Sequence, residues 1–422
     1  MDEYFLQFLW KFQKFDSPSL TLTNGQQLLV LKPGYQNHHS GPDFHEAKVK
    51  IDELIWSGSV EIHYKASDWY RHQHQKDPAY ENVVLHVVWI ADQDILIDNQ
   101  KVPTLEMKRI VSTQLEQDYR NYINQPEVIR CGNHLHSVDS IQIRALLDSA
   151  LTSRLEHKSK EILDLLAQRG GDWEAVTYHI IAKNFGFKTN AHPFEKLAES
   201  LPYAVVRKYH ADSTKMDALI FGMAGFLESP VDNYQTQLRK EFDFMVKKHG
   251  LDQALSRHHW KHGKLRPANF PSVRLAQFSA FLAHNKAIFN SLILLHDKKA
   301  IQSFLKKPVS DYWGSHFDFG KTIDKPNTLG TSSIDLIMIN SAVPILAAYG
   351  LHLDNLDFID KAQSILDEIR AESNHITQKW YGLGVKIENA SDSQALIHQY
   401  NNMCLKKKCL ECNIGMSILN RQ

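Results

Sequence analysis

The chain has 422 residues, with 48 Lys and Arg against 48 Asp and Glu, 43% hydrophobic residues and only 4 Cys. At about 150 residues per domain this length predicts two or three domains, and the composition excludes a disordered chain and a disulfide-rich secreted domain. A net charge of zero leaves no overall field that attracts phosphate, so a nucleic-acid contact would need a local basic patch.

The first part of the chain is predicted to form one helix followed by strands. Asp2 is a predicted N-cap, and apolar residues at helical spacing predict an amphipathic helix over residues 3–15. Runs of apolar and β-branched residues predict strands at 27–32, 44–51, 55–65 and 82–90. Residues 95–107 predict a closing hairpin with its turn at Asp98 and Asn99.

After about residue 112 the apolar period changes from two to 3.6, which predicts helices. The amphipathic segments are 140–168, 215–227, 235–249, 272–295 and 354–371. Pro344 is expected to kink a core helix near 340–349. The sequence thus predicts an α+β protein with a mixed α/β domain at 1–125 and an all-helical domain at 126–422.

No stretch reaches the roughly 18 consecutive apolar residues that span a bilayer, so no membrane contact is predicted. The N-terminus is acidic and then amphipathic, unlike a secretory signal, which is basic and then apolar. A cytoplasmic protein is therefore expected.

Two acidic residues lie on neighbouring predicted strands. Asp43 comes just before one strand, and Glu61, His63 and Lys65 alternate along the next, so these three share a face. A pair of carboxylates suits Mg²⁺ or Mn²⁺, which activates water and neutralises charge on a phosphate. His63 or Lys65 would orient or deprotonate that water. Alternatively, Pro42-Asp43 is a turn and Glu61 a solvated strand residue.

This order of helix, strand, strand with Pro-Asp and strand with Glu61 resembles the PD-(D/E)xK nuclease-like core. In that superfamily a Lys stands two positions after the second acid, whereas His63 stands there in this chain and Lys65 follows on the same face. The resemblance implies a restriction-nuclease-like sheet in the N-terminal domain. It also implies a divalent-metal-dependent phosphodiesterase.

A second group of metal-ligating residue types follows the acidic pair. It consists of His72, His74, Asp77 and His86. Neutral imidazole and carboxylate suit zinc, manganese or iron, so a second metal site and a metallohydrolase centred on it are predicted here. The alternative is that His86 is a hydrogen-bonded core residue and the two preceding histidines line a polar loop.

All four cysteines fit one site, formed by Cys131 together with Cys404, Cys409 and Cys412. Four thiolates are the ligands of a tetrahedral Zn²⁺ or a 4Fe–4S cluster. The three lysines at 406–408 are expected to lower the pKa values of these thiols. The pattern resembles the iron–sulfur staples of certain DNA-repair nucleases, in which, however, the first Cys precedes the nuclease core. The alternative is a set of free buried thiols.

A basic segment is the predicted contact for DNA or RNA. Its cations are Arg257, Lys261, Lys264, Arg266 and Arg274. Arg and Lys bind phosphate, and Trp260 and Phe270 are expected to offer faces for base stacking. The alternative is a solvated loop that precedes a helix.

Several motifs together resemble one bacterial family of unknown function, number 2851. They are Gly-Pro-Asp-Phe at 41–44, Gly-Ser-Val-Glu-Ile-His at 58–63, Ser-Asp-Trp-Tyr-Arg-His at 67–72, Asp-Pro-Ala-Tyr at 77–80 with Val-Leu-His-Val-Val at 84–88, Arg-Pro-Ala-Asn-Phe-Pro at 266–271 and the terminal cysteine trio. The resemblance covers nearly the whole chain. It implies a bacterial cytoplasmic protein whose domains belong together, and it implies no activity.

The sequence as a whole predicts a metal-dependent nuclease or nucleic-acid-processing enzyme. One alternative is a non-catalytic nucleic-acid-binding protein, which would bind in a salt-sensitive way without cleavage. Another is a structural or interaction protein in which the cysteine site is only a clamp. Substrate and oligomeric state do not follow from the sequence.

Overall fold

A computed structural model describes residues 3–15, 20–37, 39–324 and 328–420, so the N-cap predicted at Asp2 lies outside the described residues. The chain forms two compact units, one made of Met1–Leu146 with Gln399–Gln422 and the other of Leu147–His398. The first unit contains the main sheet, and the second is mostly helical. The segment with three cysteines thus belongs to the first unit, although the sequence analysis placed it in the helical domain.

The first unit is built on a mixed seven-stranded sheet with the order β1-β2-β4-β5-β6-β9, in which β3 pairs with β4. Strands β2, β4 and β5 are antiparallel neighbours, whereas β5, β6 and β9 run parallel. The strands are β1 (Leu20–Thr21), β2 (Gln27–Lys32), β3 (Tyr35–Gln36), β4 (Phe44–Ile51), β5 (Leu54–Lys65), β6 (Val83–Ile90), β7 (Leu96–Ile97), β8 (Gln100–Lys101) and β9 (Thr104–Glu106). The four strands predicted between residues 27 and 90 are therefore confirmed.

A separate hairpin of β7 and β8 confirms the predicted turn. Asp98 and Asn99 have φ values of 48° and 63°. A two-residue type I′ turn needs positive φ at both central positions, and Asp and Asn adopt it more readily than most residues.

The described chain contains nineteen α-helices, and α4 and α18 each cross a boundary between the units. They are α1 (Glu3–Phe12), α2 (Asp68–Arg71), α3 (Thr113–Ile123), α4 (Ser140–Gln168), α5 (Trp173–Phe185), α6 (Phe187–Ser200), α7 (Tyr203–Val206), α8 (Ser213–Met223), α9 (Asn233–His249), α10 (Pro271–His284), α11 (Ile288–Leu294), α12 (Lys298–Leu305), α13 (Asp311–Ser315), α14 (Thr331–Ile337), α15 (Val343–Leu353), α16 (Leu356–Glu368), α17 (His375–Gly382), α18 (Ala390–Gln399) and α19 (Asn413–Asn420).

Helix α1 packs on the sheet at β5 and β6 and also contacts the turn Cys409–Glu411. It buries the apolar side chains of Phe5, Leu6, Phe8, Leu9 and Trp10. This burial follows from the amphipathic spacing of the sequence. The helix thus lies between the sheet and the cysteine segment of the same unit.

The second unit differs from its predicted elements at three points. The helix predicted at 272–295 is two helices, because Asn285 leaves the helical conformation and its side chain donates to the carbonyl of Phe281. The helix predicted near 340–349 belongs to a longer continuous helical stretch, Thr331–Leu353, in which Pro344 closely follows the π-helical Met338–Ala342. The prediction of an all-helical domain was wrong, because β10 (His316–Asp318) and β11 (Lys321–Thr322) form a hairpin at Gly320.

One continuous helical stretch, Thr331–Leu353, is long and apolar enough to cross a membrane. The stretch was not predicted, because polar residues interrupt its apolar run. Of this stretch's most apolar window, 72% is buried inside the protein. That burial is typical of a core helix in a soluble protein.

Candidate functional site

Strand β5 and the connection to β6 bring four histidines and one glutamate together in the first unit. Glu61 and His63 are alternate residues of β5, and Glu61 is paired with His86 on β6. His72 directly follows α2, and His74 begins the next short turn. Between these two histidines Gln73 has a left-handed backbone with φ 63°, which turns the chain.

Three imidazoles converge on one point, and one carboxylate lies beside two of them. Glu61 Oε1 lies 3.5 Å from His63 Nε2 and 3.4 Å from His74 Nε2. His72 Nδ1 lies 3.2 Å from His63 Nε2, and the ligand atoms of the three histidines all lie within 4.8 Å of one another. The Glu61 separations are long for hydrogen bonds. They match the roughly 3.3 Å between neighbouring ligands of a tetrahedral ion with metal–nitrogen bonds of 2.0–2.1 Å.

Burial makes this convergence chemically significant. Glu61 is 5% exposed and His63 1% exposed. His74 Nε2 is buried and makes no hydrogen bond in the described part of the chain. A buried ring nitrogen without such a partner is costly unless it binds something else. The site therefore offers a lone pair to a cation.

Neighbouring side chains hold the histidines in place. His63 Nδ1 lies 2.8 Å from His86 Nε2. If His63 donates this hydrogen bond, its Nε2 keeps a free lone pair, as metal-ligating histidines do. The ring of Tyr80 stacks on His74 with a centroid distance of 3.9 Å. Trp69 packs its edge against the same group of rings.

A second carboxylate is joined to Glu61 through the backbone. The Asp43 N–H donates to Glu61 Oε2 at 3.0 Å, and the Ile62 N–H donates to Asp43 Oδ2 at 3.0 Å. Gln7 on α1 donates from Nε2 to Asp43 Oδ1 at 2.8 Å. Helix α1, the start of β4 and the end of β5 thus position the two acids together.

The electrostatics of the group also favour a cation. Burial raises the pKa values of Glu61 and Asp43, and the charge of Asp43 adds to the rise at Glu61. Burial and the neighbouring imidazoles lower the pKa of His63 to about 2, that of His74 to about 4 and that of His86 to about 3. These three imidazoles are therefore neutral, and a bound cation would favour the ionised carboxylates.

An open cleft reaches this group at His72. Its volume is about 450 Å³, and it is lined by Glu3, Tyr4, Tyr64, Lys65, Asp68, Arg71 and His72. Lys65 is exposed there, and Arg71 pairs with Asp68 at 3.1 Å. A molecule from solvent can therefore reach His72 through this cleft, beside the cationic side chains of Lys65 and Arg71.

Most residues of the two predicted site groups lie around one centre in the structure. Glu61 and His63 from the first group meet His72 and His74 from the second, with His86 directly behind His63. Asp77 is exposed, and its Oδ1 accepts from the Ala79 N–H at 3.0 Å. His63 was not predicted to be a metal ligand, although its position two residues after Glu61 indicated that the two side chains share a face.

The four cysteines form a second group in the same unit. Cys131, Cys404 and Cys412 are buried, Cys409 is half-buried, and none is in a disulfide. No three of these four described sulfurs lie within 4.8 Å of one another. Thiolates around a single zinc ion would stand roughly 3.8 Å apart, given zinc–sulfur bonds of about 2.3 Å.

The expected effect of the lysines on the thiols was wrong. Burial raises the pKa of Cys404 to about 12 and that of Cys409 to about 11, and the cation that opposes this rise is Arg130. Arg130 also donates from Nη1 to the Cys404 carbonyl at 3.1 Å. Lys408 instead pairs with Glu411 at 3.0 Å.

The predicted nucleic-acid residues lie in the second unit. Lys261, Lys264 and Arg266 are exposed, whereas Arg274 is 7% exposed. Arg257 pairs with Asp318 at 2.7 Å. The stacking face predicted for Trp260 was wrong, because the side chain is 3% exposed and its Nε1 donates to the Ala224 carbonyl.

Comparison with known proteins gives a family and no activity. The family model described as Protein of unknown function (DUF2851) matches residues 3–375, a range that includes the histidine group and Cys131 and ends before the three C-terminal cysteines. No curated protein and no solved structure matches the chain. Because the matched range covers most of the 422 residues, the chain belongs to the DUF2851 family of proteins of unknown function.

Proposed function

We propose that this protein is a metal-dependent phosphodiesterase that acts on nucleic acid. The convergence of Glu61 Oε1 with ring nitrogens of His63, His72 and His74 carries the proposal. These four groups would hold a divalent cation, and Asp43 would support Glu61 from the neighbouring strand. The helix, the antiparallel strands β2, β4 and β5, and the parallel β6 supply the element order of the nuclease-like resemblance.

The ligand set favours a particular kind of metal. Carboxylate and water suit Mg²⁺ and Mn²⁺, whereas imidazole suits zinc and iron. With three imidazoles in the group, Zn²⁺ and Fe²⁺ are favoured over Mg²⁺, and Mn²⁺ serves as the divalent probe of the site. A bound cation of this kind polarises a phosphoryl oxygen and lowers the pKa of a bound water.

The cleft beside His72 would give a substrate access to the metal ligands. A phosphodiester there would meet the exposed Lys65, and Arg71 would have to exchange its partner Asp68 for the phosphate. Lys65 thus keeps its predicted role near the phosphate, and Asp68 and Glu3 leave the cleft with both signs of charge. The partner would be DNA or RNA in the bacterial cytoplasm, and Lys261, Lys264 and Arg266 are further exposed candidates for backbone contact.

The test measures metal content and cleavage in the same preparations. Wild-type protein, His72→Ala and Glu61→Gln would be loaded with Mn²⁺, desalted and assayed for bound metal and for cleavage of labelled single- and double-stranded oligonucleotides. We expect about one Mn²⁺ per chain and cleavage in the wild type. We expect at least a tenfold loss of affinity and activity in each variant.

His136→Ala is the matched control, because His136 is an exposed histidine of the same unit outside the group. It should keep both metal and activity. Metal binding without cleavage of any oligonucleotide would favour the non-catalytic nucleic-acid-binding alternative. Absence of Mn²⁺, Zn²⁺ and Fe²⁺ binding would refute the proposed metal centre.

The cysteine group supports a separate structural cofactor, a 4Fe–4S cluster. A cubane places a different iron at each thiolate, so the sulfurs stand farther apart than around one zinc ion. Four thiolates are the ligands of both a 4Fe–4S cluster and Zn²⁺, and the iron, sulfide and zinc contents decide between them. Anaerobic purification should give a brown protein with about four iron and four sulfide per chain, and Cys409→Ser should lose the colour. One zinc ion and no colour would contradict the cluster.

A further inference from the structure

The second unit contains a cavity lined by a buried arginine that has no acidic partner among the described residues. The cavity measures about 280 Å³, near the lower end of the size range for small-molecule sites. Its lining residues are Gly186, Phe187, Lys188, Thr189, Asn190, Phe194, Leu265, Asn269, Arg274, Ser332, Ser333 and Leu336. Arg274 on α10 is 7% exposed.

Neutral acceptors form hydrogen bonds with only some of the N–H groups of the Arg274 guanidinium. Nη1 donates to Gln277 Oε1 at 2.9 Å, and Nη2 donates to Asn269 Oδ1 at 2.6 Å and to Ser333 Oγ at 3.1 Å. Nε is buried and has no hydrogen-bond partner in the described part of the chain. The guanidinium, which has five N–H groups, thus makes three hydrogen bonds to described residues, all of them to neutral acceptors.

Arg274 forms no ion pair among the described residues, and its pKa is lowered to about 10 by burial without an opposing acid. A buried charge is costly unless a counter-charge neutralises it. The ring of Phe187 covers one face of the guanidinium at 4.3 Å, although the backbone of Phe187 is left-handed with φ 49°. A bulky residue rarely adopts that conformation, and such strain is often found at ligand sites.

We infer that this cavity binds a small phosphate monoester. Arg274 would hold the phosphate from inside, and the exposed Lys188 would add a second positive charge. Two cations and the hydroxyls of Thr189, Ser332 and Ser333 suit a dianion with three acceptor oxygens better than a carboxylate. The depth of Arg274 favours a small ligand over the backbone of a polymer. The inference does not depend on the metal centre.

Isothermal titration of the full-length protein with ribose 5-phosphate tests this site. We expect saturable 1:1 binding to the wild type and competition by inorganic phosphate. Arg274→Gln should weaken binding at least tenfold, and Lys188→Ala several-fold. Arg207→Gln removes an exposed arginine of the same unit outside the lining and should stay within twofold of the wild type.

Circular dichroism would show whether Arg274→Gln folds. If it does not fold, Lys188→Ala decides, because Lys188 is exposed. No saturable binding of ribose 5-phosphate, unchanged affinity in the folded Arg274 variant or in Lys188→Ala, or equal affinity for malonate would each overturn the inference.

Discussion

Gln7 donates a 2.8 Å hydrogen bond from Nε2 to Asp43 Oδ1, and so connects helix α1 to the acidic group at the start of β4. In Gln7→Leu the Asp43 oxygen would lose this donor. We expect a loss of about 1–2 kcal/mol in the free energy of unfolding and about tenfold weaker Mn²⁺ binding. Urea denaturation and metal titration measure the two effects. The control Lys11→Ala changes an exposed residue of α1 and should shift stability by at most about 0.5 kcal/mol.

If Gln7→Leu binds Mn²⁺ as tightly as the wild type, α1 has no part in holding the carboxylates.

Tyr80 is expected to orient His74 through the stacked contact of the two rings, whose centroids are 3.9 Å apart. Tyr80→Leu removes the aromatic face and should weaken Mn²⁺ binding several-fold, because His74 would gain rotational freedom. Tyr80→Phe keeps the face and serves as the control, so its affinity should match the wild type. Metal titration of both variants is the measurement. Equal weakening in both would assign the effect to the hydroxyl and contradict the stacking explanation.

Gly415 allows α19 to pack closely on the cysteine turn. A Cβ at this position would lie 2.1 Å from the Cys409 carbonyl oxygen, which no side-chain movement can relieve. Gly415→Ala should therefore displace Cys409 and lower the iron content of anaerobically purified protein. Gly382→Ala is the control, because a Cβ there meets nothing within 4 Å. Full iron content in Gly415→Ala would show that the turn adjusts without loss of the site.

Asp217 on α8 should make stability depend on pH. It accepts hydrogen bonds from the hydroxyls of Ser279, Tyr234 and Ser310, yet burial raises its pKa to about 6. Because the folded state then binds protons more tightly than the unfolded state, stability should fall as pH rises from about 4 to 6. A difference of two pKa units corresponds to about 3 kcal/mol.

The measurement is urea unfolding of the wild type and Asp217→Asn between pH 4 and 7. The difference between their unfolding free energies should change across this range and level off above pH 6. Asp212→Asn alters the half-buried N-cap of the same helix and should retain the Asp217 dependence. A constant difference between the wild type and Asp217→Asn would show that Asp217 keeps an ordinary pKa.

Local sequence patterns predicted local structure well. Alternation placed Glu61 and His63 on one face of β5, and Asp98-Asn99 identified a turn that needs positive φ twice. These features depend on a few consecutive residues. The approach of His72 and His74 to Glu61 depends instead on how the chain returns from β5 to β6, which periodicity does not encode. The sequence therefore predicted two separate site groups, whereas most of their residues lie together in the structure.

Long-range features were the least predictable. Trp260 lies in a basic segment, and nothing in its sequence neighbourhood indicated that its indole is buried with a bond to the Ala224 carbonyl. Likewise, Arg274 looked like a surface cation until its burial was known. The assignment of Cys404 to the sheet unit also depends on contacts between residues more than two hundred positions apart.

The discontinuity of the first unit has a consequence for protein synthesis. Cys404 leaves the ribosome 273 residues after Cys131. At about 5–20 residues per second, the sheet would exist for roughly 15–55 s before its remaining cysteines are made. During that interval the second unit is translated in full, while α1 still lacks its neighbour at Cys409–Glu411. Insertion of the proposed cofactor would therefore have to follow translation of nearly the whole chain, and a nascent chain stalled in the second unit would lack three of the four cysteines.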